Sequence, residues 1–164
     1  MTLTLNARSE AVRRRLLRPW NFRLYLWARL PLAACAGLSL RRLDGDGCTV
    51  SLPGGWRTRN PFRSMYFAAQ AMAAEMSTGA PAMMLAEGAS ASVSMLVREV
   101  RGVFTRRIQG RASFTFEDLA GMQAAVERAV ATGESESYVA QSVGRTSDGD
   151  AASEFEVTWS FKRR

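Results

Sequence analysis

One stretch near the middle of the chain holds residue types and spacings that could do chemistry. The run Arg59-Asn60-Pro61-Phe62-Arg63-Ser64-Met65-Tyr66-Phe67 leads into Ala68-Ala69-Gln70-Ala71-Met72-Ala73-Ala74-Glu75. From Ser64 to Gly79 the only charged residue is Glu75. A helix that is apolar on nearly all sides is a buried helix, and a lone carboxylate in it is costly unless paired or functional. Desolvation raises the pKa of such a group and suits it to proton transfer or attack near neutral pH. Ala68 and Ala71 lie seven and four residues before Glu75, so helical spacing puts all three on one face. Small side chains there leave room for a ligand or a second protomer. Asn60 stands just before Pro61, where a helix start is expected. Free backbone N–H groups in a first turn can hold a developing oxyanion, helped by the helix dipole. Two readings stay open at this point. Either the segment is a site, or Glu75 pairs with a core-facing arginine and Asn60 is a turn or cap residue.

The elements that must position this segment follow from periodicity. Residues 9–18 read as a short helix capped by Ser9, striped by Val12, Leu16 and Leu17, and broken at Pro19. A second helix over 21–30 is expected to turn Leu24, Trp27 and Leu30 inward, with Arg23 and Arg29 snorkelling from the other face. A membrane-surface role for that segment is the alternative. Leu38 and Leu40, then Cys48, Val50 and Leu52, alternate around Asp44-Gly45-Asp46-Gly47, a hairpin closed by Pro53-Gly54-Gly55. Residues 61–77 read as the central helix, ended by Gly79 with Pro81 beyond. Val93, Met95 and Val97 alternate as a strand, with Gly102 as a bend before a further segment over 103–114. Thr115-x-x-Asp118 reads as the cap of a helix striped by Leu119, Met122, Val126 and Val130 and ended by Gly133. The chain closes with a hairpin at Asp148-Gly149, whose last strand alternates Phe155, Val157, Trp159 and Phe161. This order favours an α+β class, one antiparallel sheet with a helix buried against it. It is expected to form a single domain over residues 1–164, with 1–36 as an N-terminal helical extension.

Composition narrows the chemistry. The chain has 164 residues, a net charge of +7 and no histidine. That absence excludes a Ser-His-Asp triad, a Cys-His pair, a histidine metal ligand and an imidazole base. Any chemistry falls to carboxylates, amides, hydroxyls or backbone groups, and no metal or cofactor is expected. Of the 22 basic residues only Lys162 is a lysine. The cluster Arg13, Arg14, Arg15 and Arg18 lacks the interleaved aromatics that stack on bases, so nucleic acid is not an expected partner. Arginines that hold the phosphates of a small anion such as coenzyme A remain open. Cys35 and Cys48 read as free thiols of a reducing cytoplasm. Residues 1–10 show no signal-peptide h-region. The stretch 20–40 is interrupted by Arg23, Arg29, Pro31 and Gly37, so no membrane span is expected. A soluble cytoplasmic protein is the expectation.

Three pieces carry a resemblance. They are Asn60-Pro61-Phe62-Arg63-Ser64-Met65-Tyr66, the alanine-rich helix to Glu75, and the terminal Thr158-Trp159-Ser160-Phe161-Lys162. Together they resemble the hot-dog-fold acyl-CoA thioesterase superfamily, and more closely an uncharacterised thioesterase-like family, a domain of unknown function, within it. The resemblance implies a long central helix wrapped by a curved antiparallel sheet. It implies a homodimer or a dimer of dimers, with sheets joined edge to edge and sites at the dimer interface. Glu75 matches the family's helix acid, which activates water or attacks directly. Asn60 matches the preceding polar position, and N–H groups near Tyr66 and Phe67 would hold the oxyanion. Arg63, Gln70, Ala68 and Ala71 would contact substrate, with Arg63 or Arg107 on the nucleotide phosphates. Many relatives carry His-Gly-Gly where Tyr66-Phe67-Ala68 stands here. The implied function is hydrolysis of an acyl-CoA or acyl-carrier thioester. The alternative is a non-catalytic acyl- or lipid-binding protein, with Met72, Met76, Met83 and Met84 lining an apolar pocket.

Overall fold

Three helices open the chain in the computed structural model, which describes residues 3–164: α1 (Ala7–Leu17), α2 (Pro19–Arg29) and α3 (Pro31–Ala36). Residues 1 and 2 of the expected N-terminal extension lie outside the described residues. The hairpin β1 (Ser39–Leu43) and β2 (Cys48–Leu52) comes next, then the central helix α4 (Phe67–Gly88). The rest is β3 (Val93–Phe104), β4 (Ala112–Phe116), α5 (Leu119–Thr132), β5 (Glu136–Thr146) and β6 (Ala151–Arg163). Among the described residues the strands form one sheet in the order β1-β2-β4-β5-β6-β3, every neighbouring pair antiparallel. The sheet curves around α4, which is the hot-dog arrangement.

Alternation in the strands decides which face meets the helix. Phe155, Val157, Trp159 and Phe161 of β6 are buried, as are Phe114 and Phe116 of β4. They close on Ala73, Ala74 and Ala80 of α4. Each large apolar side chain so buried contributes about 1.5–3 kcal/mol. The alanines let the sheet approach the helix closely, as dense packing requires. Of the expected α5 stripe, Leu119, Met122 and Val126 are buried and Val130 is half-buried, and Gly133 ends that helix in the left-handed region at φ 77.

Several local expectations give way to tertiary contacts. The cap of α1 is Asn6, whose Oδ1 accepts from the Ser9 amide at 2.9 Å; Ser9 itself is buried inside the helix. The cap of α5 is Asp118, which accepts from the Gly121 amide at 3.0 Å, while Thr115 pairs within the sheet. Pro31 does not merely follow α2 but opens the short helix α3. Gly102 is no bend: β3 runs through it, and a Cβ there would meet Phe155 Cε1 at 2.7 Å, so close packing selects the glycine. Residues 105–111 form a loop rather than strand. In α2 the inward residues are Phe22 and Leu26, whereas Leu24, Trp27 and Leu30 are exposed.

The central helix departs most. It starts at Phe67 instead of Pro61 and passes through Gly79 and Pro81 to Gly88. Gly79 sits under Trp159, where a Cβ would lie 3.2 Å from Cζ2. Close packing therefore selects glycine in mid-helix, and the residue is no stop signal.

Candidate active site

The residues before α4 form a self-bonded loop. Asn60 Oδ1 accepts from the amides of Phe62 at 3.0 Å and Ser64 at 3.1 Å. Its Nδ2 donates to Ser64 Oγ at 3.1 Å. Arg63 takes a positive φ of 61, and Arg59 and Met65 make an isolated bridge. An asparagine carbonyl that bonds its own downstream amides competes with helix. This is why α4 starts six residues after Pro61 rather than at it. Asn60 is thus the organiser of this loop.

The helix start leaves donors free. Tyr66 is the N-cap, extended at ψ 136, with no side-chain cap bond. Its own N–H is taken up by Thr58 O at 2.7 Å, so it is unavailable to an oxyanion. The amides of Ala69 and Gln70 both bond Tyr66 O. Those of Phe67 and Ala68 have no acceptor among the described residues. The free donors therefore lie one residue further along than the sequence suggests.

A cleft of about 580 Å³ opens beside this turn. Asn60, Phe67, Gln70, Phe104, Arg107 and Ile108 line it. Its far wall is the β3–β4 loop, tied to the near wall by the Met65 amide on Ile108 O at 2.8 Å. Sequence reasoning named Arg107 but missed Phe104 and Ile108. Their only signal was two apolar residues flanking Thr105-Arg106-Arg107, and folding alone brings them opposite Phe67. Arg107 is exposed and forms no ion pair among the described residues, whereas Arg106 pairs with Asp150. Arg63 is exposed nearby but does not line the cleft. Gln70 is 5% exposed; its Nε2 donates to Met65 O at 3.1 Å and its Oε1 has no partner.

Glu75 lies outside the cleft, two turns further along α4. It is half-buried rather than fully buried, on the one side of the helix that the sheet leaves uncovered. Ala68 is exposed on that side, and Ala71 and Met72 are half-buried. No arginine pairs with Glu75 and no donor bonds its carboxylate among the described residues. Burial alone pushes its pKa above the ordinary carboxylate value. Thr78 Oγ1 donates to Glu75 O at 2.9 Å and accepts from Trp159 Nε1 at 2.9 Å, which fixes this turn against β6. Met76 and Met84 are core residues, while Met72 and Met83 are half-buried. Tyr25 of α2 reaches Met83 Sδ at 3.7 Å.

The sequence matches the family model described as "Domain of unknown function (DUF4442)" over residues 18–160. No curated protein matches it. Among solved structures, a protein of unknown function from Chlorobaculum tepidum superposes with a TM-score of 0.75 at 13% identity. That alignment covers 90% of this chain and 98% of that one. A Pseudomonas aeruginosa protein described as of unknown function, "Probable Thioesterase", gives 0.73 at 19% identity over 92% of this chain and 99% of that one. A thioesterase from Staphylococcus aureus carrying a glutamine-to-alanine substitution gives 0.60 at 12%, over 80% and 98%. A second structure of that protein replaces a glutamate by alanine. At these identities the likeness establishes the fold.

Proposed function

The chain belongs to the DUF4442 family, and from that premise we propose that it hydrolyses an acyl-CoA or acyl-carrier thioester as a homodimer. The observation that carries this reading is the unpaired, half-buried Glu75 on the small-residue face that leads from two free helix amides. The Phe67 and Ala68 N–H groups would take the carbonyl oxygen as it becomes an oxyanion. The Glu75 carboxylate would remove a proton from attacking water, or attack the carbonyl itself. On the water route the tetrahedral intermediate expels the thiolate, which takes back the proton held by Glu75. On the direct route the thiolate leaves an acyl–Glu75 anhydride that water then hydrolyses, the released proton going to the thiolate. Arg107, with Arg63 at the rim, would hold the phosphates.

One protomer cannot join the two halves. Eight residues separate Phe67 from Glu75, about 12 Å along a helix axis, and a reacting atom must sit about 3 Å from both groups. The acid that serves a given helix start is therefore the partner's Glu75. The free edge of β3 supports the pairing. Its only strand neighbour among the described residues is β6, and Val100 and Phe104 on its inner side are exposed. In the Staphylococcus aureus thioesterase the substituted glutamine and glutamate are separated by the same number of positions as Asn60 and Glu75.

The test is Glu75→Gln against a panel of acyl-CoAs of varied chain length. Turnover should fall about 10²–10⁴-fold with folding retained; wild-type rates would remove the role. One observation favours the alternative of a non-catalytic acyl-binding protein. The Phe67 ring, 57% exposed, stands at the helix start beside the two free amides and crowds the approach to them. Acyl ligand that co-purifies with the wild-type chain without turnover on any acyl-CoA would support that reading.

A further inference from the structure

We propose that the outer face of α2 and α3 docks on an anionic lipid bilayer. This goes beyond the thioesterase reading and does not depend on it. Trp20, Leu24 and Trp27 stand at i, i+4 and i+7 of α2 and are 83%, 72% and 56% exposed. They make one continuous stripe, because that spacing returns to the same helix side. Leu32 at the start of α3 extends it, at 76% exposed. Arg57 Nη1 donates to Cys35 O at 3.1 Å and so keeps the loop bearing the exposed Trp56 beside α3. A contiguous apolar face of this kind on an exposed helix is a recognition surface. The helix does not need it for its own packing, since Phe22 and Leu26 already anchor it.

Charge selects the occupant. Between Glu10 and Asp44 there are eight arginines and no acidic residue. Arg13 and Arg14 pair with Glu10, Arg15 with Glu87 and Arg42 with Asp44. Arg23 borders the stripe on α2, and Arg18 and Arg29 stand at the two ends of that helix; none of the three forms an ion pair among the described residues. A second copy of this face would meet it with the same unpaired arginines and be repelled. Tryptophan and leucine inserted among headgroups, with arginines on lipid phosphates, suit an anionic interface. No described helix is long and apolar enough to cross a membrane, so the contact is interfacial.

The test is co-sedimentation of the full chain with phosphatidylcholine vesicles, with and without phosphatidylserine at about a third of the lipid. Binding is expected only with phosphatidylserine, weakening as salt rises. Trp20→Ala/Trp27→Ala and Arg23→Glu/Arg29→Glu should each lower the partition at least about tenfold. All four residues are exposed, so circular dichroism should show both variants folded. Quenching of wild-type tryptophan fluorescence by bromolipid should report the insertion directly. Absence of binding to the anionic vesicles, or unchanged binding of both variants, would overturn the proposal. So would a higher oligomer that dissociates in the tryptophan variant, which would give the face to a second copy. Tighter binding of duplex DNA than of vesicles would give it to nucleic acid instead.

Discussion

Glu75 is a carboxylate held where ionisation is penalised by burial and relieved by no cation. Its folded pKa lies above its unfolded one. The stability that goes with the protonated form is fully present below the unfolded value and is lost as pH rises through the folded value. Glu75→Gln should therefore stabilise the protein at neutral pH. The gain should vanish as pH falls below the ordinary 4.5, where the native residue is protonated in both states. Urea unfolding across that range checks the sign; a destabilised Gln variant at neutral pH would mean that the carboxylate has a partner. By the same linkage, the acid limb of a turnover profile should lie above the ordinary carboxylate range. The lone charge in an apolar run made Glu75 legible in the sequence. Asn60 was legible as important but misplaced. A helix cap and a loop organiser use the same short carbonyl, and only the fold selects between Met65 leading into sheet contacts and Pro61 leading into helix.

At the scale of elements, α4 carries both halves of the proposed site, and the free N–H groups of Phe67 and Ala68 lie in its first turn. Phe67 is its first residue and Tyr66 is already extended at ψ 136, a geometry that accepts proline at the next position. Phe67→Pro removes one free N–H with little strain. If that amide holds the oxyanion, turnover should fall about 10²–10³-fold while thermal unfolding changes little. Phe67→Ala removes the ring and keeps the N–H, so it should retain most of the rate. Equal losses in the two variants would assign the effect to the ring. The boundaries of α4 were the least legible part of the chain. Glycine and proline stop helices by local preference. Here Gly79 is fixed by the Trp159 indole above it, and Pro81 is carried by burial on its surroundings. The strongly periodic β6 and α5 were legible because their buried faces repeat with the period of the backbone itself.

At the scale of the whole molecule, the proposed site needs two protomers, because its donors and its acid lie about 12 Å apart along one helix. Glu75→Gln and Phe67→Pro chains should each be strongly impaired as homodimers. Co-assembled, they should regain turnover, because one site of each mixed dimer takes donors from one chain and acid from the other. Failure of the mixture, with mixed dimers verified by mass, would put the whole site within one protomer. The sequence by itself determined most of the element order, the α+β class, the buried stripes of α5 and β6, and Glu75 as the lone charge between Ser64 and Gly79. These depend on local spacing and on the cost of burying charge. It also excluded imidazole chemistry outright. Only the tertiary structure decided that α4 begins at Phe67, that Phe104 and Ile108 face it, and that Trp20, Leu24 and Trp27 turn outward. Each of these is a choice between two locally acceptable conformations or faces. Contacts distant in sequence make that choice, and neither periodicity nor propensity records them.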